Sequence, residues 1–151
     1  MSSGAWVLVI AVVAALAFGT YRAFADGRFR GTHRIRGAAE SDAGPETAAS
    51  VLEGTPWADQ LGERATFLQF SSAFCAPCRA TRRILEDVAG ETPGVSHVEV
   101  DAEHHLDLVR RLGVLRTPTT LVLDRAGVEV TRAAGAPTKA QVQAAIASLS
   151  G

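Results

Sequence analysis

Cys75 and Cys78 are the only two cysteines of this 151-residue chain, and two residues, Ala76 and Pro77, separate them. Such a pair cannot complete a four-ligand structural zinc site alone, because these sites draw further Cys or His ligands from a second pair. It can close a small disulfide loop, and a C-x-x-C motif at the start of a helix makes one thiol reactive. The spacing therefore indicates thiol–disulfide chemistry.

The pattern around the two cysteines predicts the elements that hold them. A short apolar run at 65–70 predicts a strand, and helical periodicity follows at 77–89. Further along, the pattern predicts a strand at 95–100, a helix at 103–112, strands at 119–123 and 128–133 joined by a turn, and a last helix from Thr138. This order, βαβαββα, indicates an α/β fold with a mixed central sheet flanked by helices on both faces.

An apolar segment stands near the N-terminus. Residues 5–18 are all apolar, and the stretch 4–21 approaches the roughly 20 residues that a helix needs to cross a bilayer. Trp6 and Tyr21 stand near its ends, where aromatic rings favour the membrane interface. The alternative is a cleaved signal peptide, for which residues 23–25 (Ala-Phe-Ala) offer a weak cleavage match. The residues before the run carry no charged side chain, which favours a transmembrane anchor.

The charges beside this segment predict its orientation. Within about 15 residues of its C-terminal end the chain carries Arg22, Arg28, Arg30, Arg34 and Arg36. The positive-inside rule then predicts a single-pass protein of the cell membrane with its domain in the cytoplasm. An extracytoplasmic domain is the alternative.

Three regions are predicted along the chain. They are the anchor at 1–24, a basic juxtamembrane segment and flexible linker at 25–54, and a globular domain at 55–151. The stretch 37–54 is rich in Ala, Gly, Ser and Glu and has little apolar pattern, which is typical of a mobile tether. The remaining residues suffice for one domain.

Several function classes are not indicated. The formal net charge of −1 argues against a general nucleic-acid binder, which needs a basic face. There is no G-x-G-x-x-G and no Walker loop, so no nucleotide or flavin is expected. His97, His104 and His105 have no cysteine at a metal-ligand spacing, and no metal site is predicted. The expected redox group is the Cys75–Cys78 pair itself, and its electrons must pass to or from another protein.

These features resemble the thioredoxin family over residues 60–150. The matching motifs are Phe74-Cys75-Ala76-Pro77-Cys78-Arg79 after a strand, Thr117-Pro118-Thr119 before a strand, the Ala126-Gly127 hairpin turn and Gly135 after the hairpin. A lone C-x-x-C would be weak evidence, whereas this ordered set is specific. The resemblance implies a thioredoxin-like fold. In this chain the fold follows the predicted N-terminal transmembrane helix.

The resemblance also implies roles for individual residues. Cys75, at the N-terminus of a helix, is the expected attacking thiol, and Cys78 is the expected resolving thiol. Pro118 is expected to be cis and to face the cysteine pair. The expected substrate-binding residues, beside which an extended substrate strand would lie, are Phe74, Ala76, Pro77, Thr117 and Pro118.

The sequence departs from the family pattern in several places. Thioredoxins usually carry Trp before the first cysteine, where this chain has Phe74, and Gly-Pro between the cysteines. They also carry a buried Asp that assists proton removal from the resolving cysteine, and Gln69 stands in its place and cannot act as a base. His97 is expected to replace the Lys that faces that Asp. The proton acceptor for Cys78 would then be water, His97 or the substrate thiolate. Residues 47–61 are also short for the first strand and helix of the full fold.

Three functions follow from this reasoning. The leading hypothesis is a membrane-anchored thiol–disulfide oxidoreductase that reduces or exchanges protein disulfides through Cys75 and Cys78. An oxidase or isomerase of exported proteins is the alternative, and it requires the domain outside the membrane. The third is a redox-inert binding module that uses the groove beside Pro118. The reduction potential separates a reductant from an oxidant.

Overall fold

The computed structural model describes residues 3–25, 27–31 and 49–150. The helices are α1 (Ser3–Ala25), α2 (Ala76–Glu91), α3 (Leu106–Arg111) and α4 (Lys139–Ala147). The strands are β1 (Phe29–Gly31), β2 (Ala65–Ser71), β3 (Val95–Asp101), β4 (Thr119–Asp124) and β5 (Glu129–Ala134). Short 3₁₀ turns lie at Ala58–Gln60 and Ser148–Ser150.

The strands form one mixed sheet in the order β1-β5-β4-β2-β3. β2 and β3 are parallel, whereas the pairs β2–β4, β4–β5 and β1–β5 are antiparallel. β2 is buried along its whole length, as its apolar run predicts for a central strand. The predicted α/β fold with a mixed central sheet is confirmed.

Two hydrophobic clusters fill the two faces of the sheet. Phe67 of β2 packs in one cluster with Leu85 of α2 and Val142 of α4. Leu68, the next residue of β2, packs in the other cluster with Leu108 of α3. The alternation follows from the two-residue period of a strand. Helices therefore cover both faces, as predicted.

The α3 helix is shorter than the predicted span 103–112. The Asp101 carboxylate accepts the backbone N–H of Glu103 at 2.8 Å and contacts His104 Nδ1 at 2.8 Å. These contacts hold a turn at the end of β3, so the helix begins only at Leu106.

β1 is an element that the sequence analysis did not predict. It lies within the stretch 25–54, assigned above to a juxtamembrane segment and linker, and it pairs with β5. The N–H of Gly27 donates to the Ala134 carbonyl at 3.1 Å. Gly27 has φ +73°, and a Cβ there would lie 2.1 Å from the Ala136 carbonyl oxygen, so only glycine fits. The chain thus contacts the domain two residues after α1 ends.

The end of the predicted linker also belongs to the domain. Leu52 is fully buried in the cluster that contains Leu68, and the Val51 N–H donates to the Gly127 carbonyl at 2.9 Å. The domain therefore starts before residue 55. Turns and a short 3₁₀ segment occupy 51–60, where the full family fold would need a strand and a helix. The rest of the predicted linker, 32–48, with Arg34 and Arg36, lies outside the described residues.

The α1 helix is apolar and exposed. Its segment Gly4–Tyr21 is long and apolar enough to cross a membrane by length and composition, and none of it is buried inside the structure. A signal sequence near an N-terminus passes the same test, so this finding does not separate the two possibilities.

Candidate active site

The two cysteines form a disulfide at the start of α2. Their Cα atoms lie 5.2 Å apart. Cys75 is the N-cap of α2, and its Sγ accepts the N–H of Cys78 at 3.1 Å. Pro77 lies in the first turn of α2, where backbone N–H groups have no partner within the helix, so its lack of an N–H costs no hydrogen bond. Cys78 is buried, whereas Cys75 is partly exposed, so an incoming sulfur can reach Cys75 more readily.

A second loop approaches the disulfide loop from the start of β4. The Thr117–Pro118 peptide bond is cis, as expected. The hydroxyls of Ser72 and Thr117 lie 3.1 Å apart, which joins the loop after β2 to the loop before β4. The Pro118 carbonyl accepts the N–H of Gly135 at 2.7 Å. The structure thus brings Thr117 beside the loop that carries the cysteines.

Three of the predicted substrate-binding residues are open to solvent. Phe74 is 100% exposed, and Ala76 and Pro77 are exposed as well. Pro118 is buried. The apolar ring of Phe74 next to Cys75 is available to a partner chain, because it packs on none of the residues in the described ranges.

A buried amide connects Cys78 to the neighbouring strand. Gln69 of β2 is fully buried, and its Nε2 donates to the Cys78 carbonyl at 3.0 Å and to Ser71 Oγ at 2.8 Å. Its Oε1 lies 3.1 Å from Nε2 of His97. Since the Cys78 carbonyl can only accept, the amide nitrogen must face it, and His97 Nε2 must then carry the proton.

The hydrogen-bonded chain ends at a carboxylate on β3. The Ser71 hydroxyl donates to Glu99 Oε1 at 2.6 Å, and Arg82 of α2 donates to Glu99 Oε2 at 2.7 Å. Glu99 is also the residue of β3 that pairs with Gln69 in the register of the two strands. The Glu99 side chain is 27% exposed.

Glu99 and Cys78 line one cavity of about 330 Å³ at the end of the sheet. Its walls are Ser71, Ser72, Ala73, Cys78, Arg79, Arg82, Glu99 and Asp101. A cavity of this size with polar walls accommodates water. The buried sulfur of Cys78 therefore shares a solvent-sized space with two carboxylates.

Two titratable groups near this cavity have shifted pKa values. Burial lowers the pKa of His97 below its ordinary value, and the attraction of Glu86 and Glu99 for the protonated ring offsets the shift only in part. The backbone hydrogen bond from Glu103, and then the side chain of His104, lower the pKa of Asp101. At neutral pH His97 is therefore largely uncharged, and Asp101 is a carboxylate that holds a proton poorly.

The sequence analysis named Gln69 and His97 but missed Ser71, Ser72 and Glu99. His97 does contact Gln69, yet the strand partner of Gln69 is Glu99, two residues further along β3. If the starts of β2 and β3 are assumed to lie side by side in a parallel pair, Glu99 falls beside Gln69. The two strands are joined through a helix, however, and their spacing in sequence does not fix that alignment.

Within the described ranges no group of three or more His, Cys, Asp or Glu side chains is arranged to hold a metal ion. The chemistry available at this end of the sheet is that of the disulfide and the polar chain behind it.

The chain is similar to thioredoxins. The family model described as Thioredoxin matches residues 49–148. Thioredoxin H2-1 of Oryza sativa subsp. japonica is 28% identical over 111 residues, covering 70% of this chain and 79% of that protein. A thioredoxin of Chlamydia trachomatis is 30% identical over 85 residues, covering 56% of this chain and 82% of its own length.

Solved structures show the same likeness. A mutant thioredoxin from Halobacterium salinarum superposes with a TM-score of 0.58 at 20% identity, covering 70% of this chain and 96% of that chain. At this level of identity the likeness shows the fold alone. Fasciola hepatica thioredoxin gives a TM-score of 0.52 at 26% identity, covering 60% of this chain and 85% of that chain.

Proposed function

Because this chain belongs to the thioredoxin family of thiol–disulfide oxidoreductases, we propose that it reduces or exchanges disulfides of other proteins from a membrane anchor. The observation that carries the proposal is the Cys75–Cys78 disulfide at the N-terminus of α2. A helix N-terminus favours a thiolate over a thiol, because the unpaired N–H groups and the helix dipole attract negative charge. The more exposed cysteine stands at this terminus.

The reaction begins with Cys75. In the reduced protein its thiolate attacks one sulfur of a substrate disulfide, forming a mixed disulfide and releasing the other substrate sulfur as a thiolate. Cys78 then loses its proton and attacks Cys75. The Cys75–substrate bond breaks, the second substrate thiolate leaves, and the substrate is reduced while the Cys75–Cys78 pair is oxidised.

Glu99 is our candidate for the acceptor of the Cys78 proton. It lines the same cavity as Cys78, and Ser71 links it to the amide that holds the Cys78 carbonyl. Water in the cavity would carry the proton from the sulfur to the carboxylate. The family places a buried Asp at the position of Gln69, whereas here the carboxylate lies on the adjacent strand.

The other groups near the cavity suit this role less well. His97 Nε2 uses its proton to donate to Gln69 and so has no lone pair to accept the Cys78 proton, and His97 does not line the cavity that Cys78 lines. Both carboxylates of the cavity accept hydrogen bonds, but the lowered pKa of Asp101 makes it a weaker base, and only Glu99 is linked through Ser71 and Gln69 to the Cys78 carbonyl. Glu99 is therefore the better acceptor of the two carboxylates.

Substrate binding is assigned to the two loops that meet through Ser72 and Thr117. An extended substrate strand would pass beside the cis Pro118, with main-chain groups of residue 117 available for pairing. The exposed rings of Phe74 and Pro77 and the methyl group of Ala76 would supply apolar contact on the other side of the disulfide.

The membrane part of the proposal is supported by α1. The Gly4–Tyr21 segment packs on none of the residues that the structure describes, and an exposed apolar helix is stabilised when hydrocarbon covers it. The arginines that follow the apolar segment support a cytoplasmic domain, by the positive-inside rule. Labelling intact cells with a membrane-impermeant maleimide after reduction tests this side, because cytoplasmic Cys75 and Cys78 stay unlabelled.

Reduction of insulin, followed by turbidity, tests the activity of the full-length protein in detergent with dithiothreitol as the electron source. The wild type should accelerate precipitation, Cys75→Ser should abolish the acceleration, and Cys78→Ser should accumulate a trapped mixed disulfide. Activity that survives Cys75→Ser would contradict the proposal. A redox-inert binding module instead predicts that partner binding is unchanged when both cysteines become serine.

A further inference from the structure

The chain enters the domain at the end of the sheet that carries the disulfide. β2 runs towards the loop of Cys75, and the antiparallel neighbours β4 and β5 place Thr119 and Ala134 at this same end. β1 also starts here, since the Gly27 N–H donates to the Ala134 carbonyl at 3.1 Å. The connection from α1 therefore reaches the active-site end of the domain, not the opposite end.

Only short spans separate this end from the apolar helix. From Tyr21, the last residue of the apolar segment, α1 rises about 6 Å to Ala25. From Ala25 to Gly27 the chain spans at most about 7 Å. Gly27 thus lies within about 13 Å of the hydrocarbon boundary when α1 crosses a bilayer.

The width of the sheet sets the remaining distance. Three strand spacings, about 14 Å in total, separate β1 from β2. Cys75 lies four residues beyond the end of β2, which adds at most about 14 Å, so Cys75 lies within roughly 40 Å of the hydrocarbon boundary. A free linker over 25–54 would instead allow a reach of up to about 100 Å. The pairing of β1 with β5 removes that freedom.

The surface at this end suits a partner in the membrane. Phe74 is 100% exposed beside Cys75, and Leu115 is 96% exposed three residues before Pro118. Exposed Arg28 immediately precedes β1. An apolar rim with a basic neighbour is compatible with a partner surface that emerges between anionic lipid headgroups.

We infer that the substrates are membrane proteins whose disulfides lie close to the bilayer surface, on the side that holds the domain. This inference rests on the proposed function, because both the exchange at Cys75 and the membrane insertion of α1 are taken from it. The step is the exchange described above: the membrane-protein disulfide is reduced, and the Cys75–Cys78 pair is oxidised.

The test uses the full chain in vesicles of phosphatidylcholine with phosphatidylglycerol. One disulfide peptide is offered in three forms: joined to a lipid through a linker of about 5 residues, joined through one of about 60 residues, and free in solution. The short-linker peptide should be reduced at least about tenfold faster than the long-linker one, because its disulfide stays in the layer that Cys75 reaches. Equal rates for the two lipid-linked peptides overturn the inference.

A pair of insertions provides the matched control. About 20 Gly/Ser residues inserted after Ala25 add a span of roughly 25 Å between α1 and β1, and the preference for the short linker should fall to near unity. The same insert after residue 40 lies between β1 and Val51, which both contact the domain, and the preference should remain. Equal effects of the two insertions also overturn the inference.

The free peptide keeps the two proposals apart. Its reduction by the wild type and by both insertion variants reports an intact active site. A wild type that reduces no form of the peptide refutes the proposed function itself, whereas reduction of all three forms at one rate refutes only the membrane-protein substrate.

Discussion

Replacing Glu99 with glutamine should slow the second half of the reaction without unfolding the domain. Glutamine keeps an oxygen that accepts the Ser71 hydroxyl, so that hydrogen bond is retained. The lost ion pair joins Arg82, 44% exposed, to Glu99, 27% exposed, and exposed pairs contribute about 0.2–1 kcal/mol. Loss of a positioned base lowers the rate of the step that it assists roughly a hundredfold or more. The small loss of stability leaves the domain folded, so the slower step can be attributed to the missing carboxylate.

Rapid-mixing experiments separate the two steps. In the Cys78→Ser background, the rate at which Cys75 forms the mixed disulfide should be the same with and without Glu99→Gln. With Cys78 present, the variant should resolve the mixed disulfide about a hundredfold more slowly near pH 7. Its rate should rise steeply with pH, because without the base only Cys78 that has already lost its proton can attack.

Several charged or titratable groups lie near Glu99 and interact with it electrostatically. Arg79, Arg82 and Asp101 line the same cavity, and His97 of β3 is the titratable group on which the charge of Glu99 acts. Asp101→Asn is the matched control, since it removes the other carboxylate of the cavity and should leave the pH profile of resolution unchanged. The reasoning is refuted if Glu99→Gln resolves at the wild-type rate at every pH, or if Asp101→Asn has the larger effect.

Three further results are expected. Leu52→Ala should lower the free energy of unfolding, measured in urea, by about 2–5 kcal/mol, because Leu52 is fully buried. An unchanged free energy of unfolding would mean that Leu52 belongs to the linker and not to the core. His97 has a lowered pKa when folded, so the unfolded chain binds more protons below about pH 6.5. Urea stability should fall as the pH drops from about 7.5 to 5.5, and His97→Gln should flatten that slope. Val12→Arg, at the centre of α1, should cost about 3–4 kcal/mol of insertion free energy and release the protein from the membrane fraction, whereas Val12→Leu should not.

The elements that could be predicted from the sequence carry local signals. The apolar run before Cys75, the helical spacing after it and the Gly127 turn each depend on neighbouring residues, and each element lies within a few residues of its predicted place. The side chain of Thr138 caps α4 in the same local way. The order of these elements was enough to indicate a mixed sheet and the position of Cys75 between a strand and a helix.

The parts that the sequence did not indicate depend on distant contacts. β1 has three residues and no alternation to recognise, and only its pairing with β5 makes it a strand. Leu52 and its neighbour Val51 are only two apolar residues in an otherwise largely polar stretch, and the core that buries Leu52 is built mainly from β2, β3 and β4. Glu99 was missed because strand alignment across a helix, rather than sequence spacing, places it beside Gln69.

The pairing of β1 with β5 also has a consequence for the order of folding. Phe29 pairs with Ala133, more than a hundred residues later in the chain, so β1 cannot pair until nearly the whole domain has been synthesised. The contacts within β2, α2 and β3 join nearer neighbours and close smaller loops, which favours their earlier formation. The strand that is made first would then be the last to join the sheet. Until it does, the domain can form its core without the β1–β5 pairing, and the short connection between α1 and the sheet is fixed only when β1 joins.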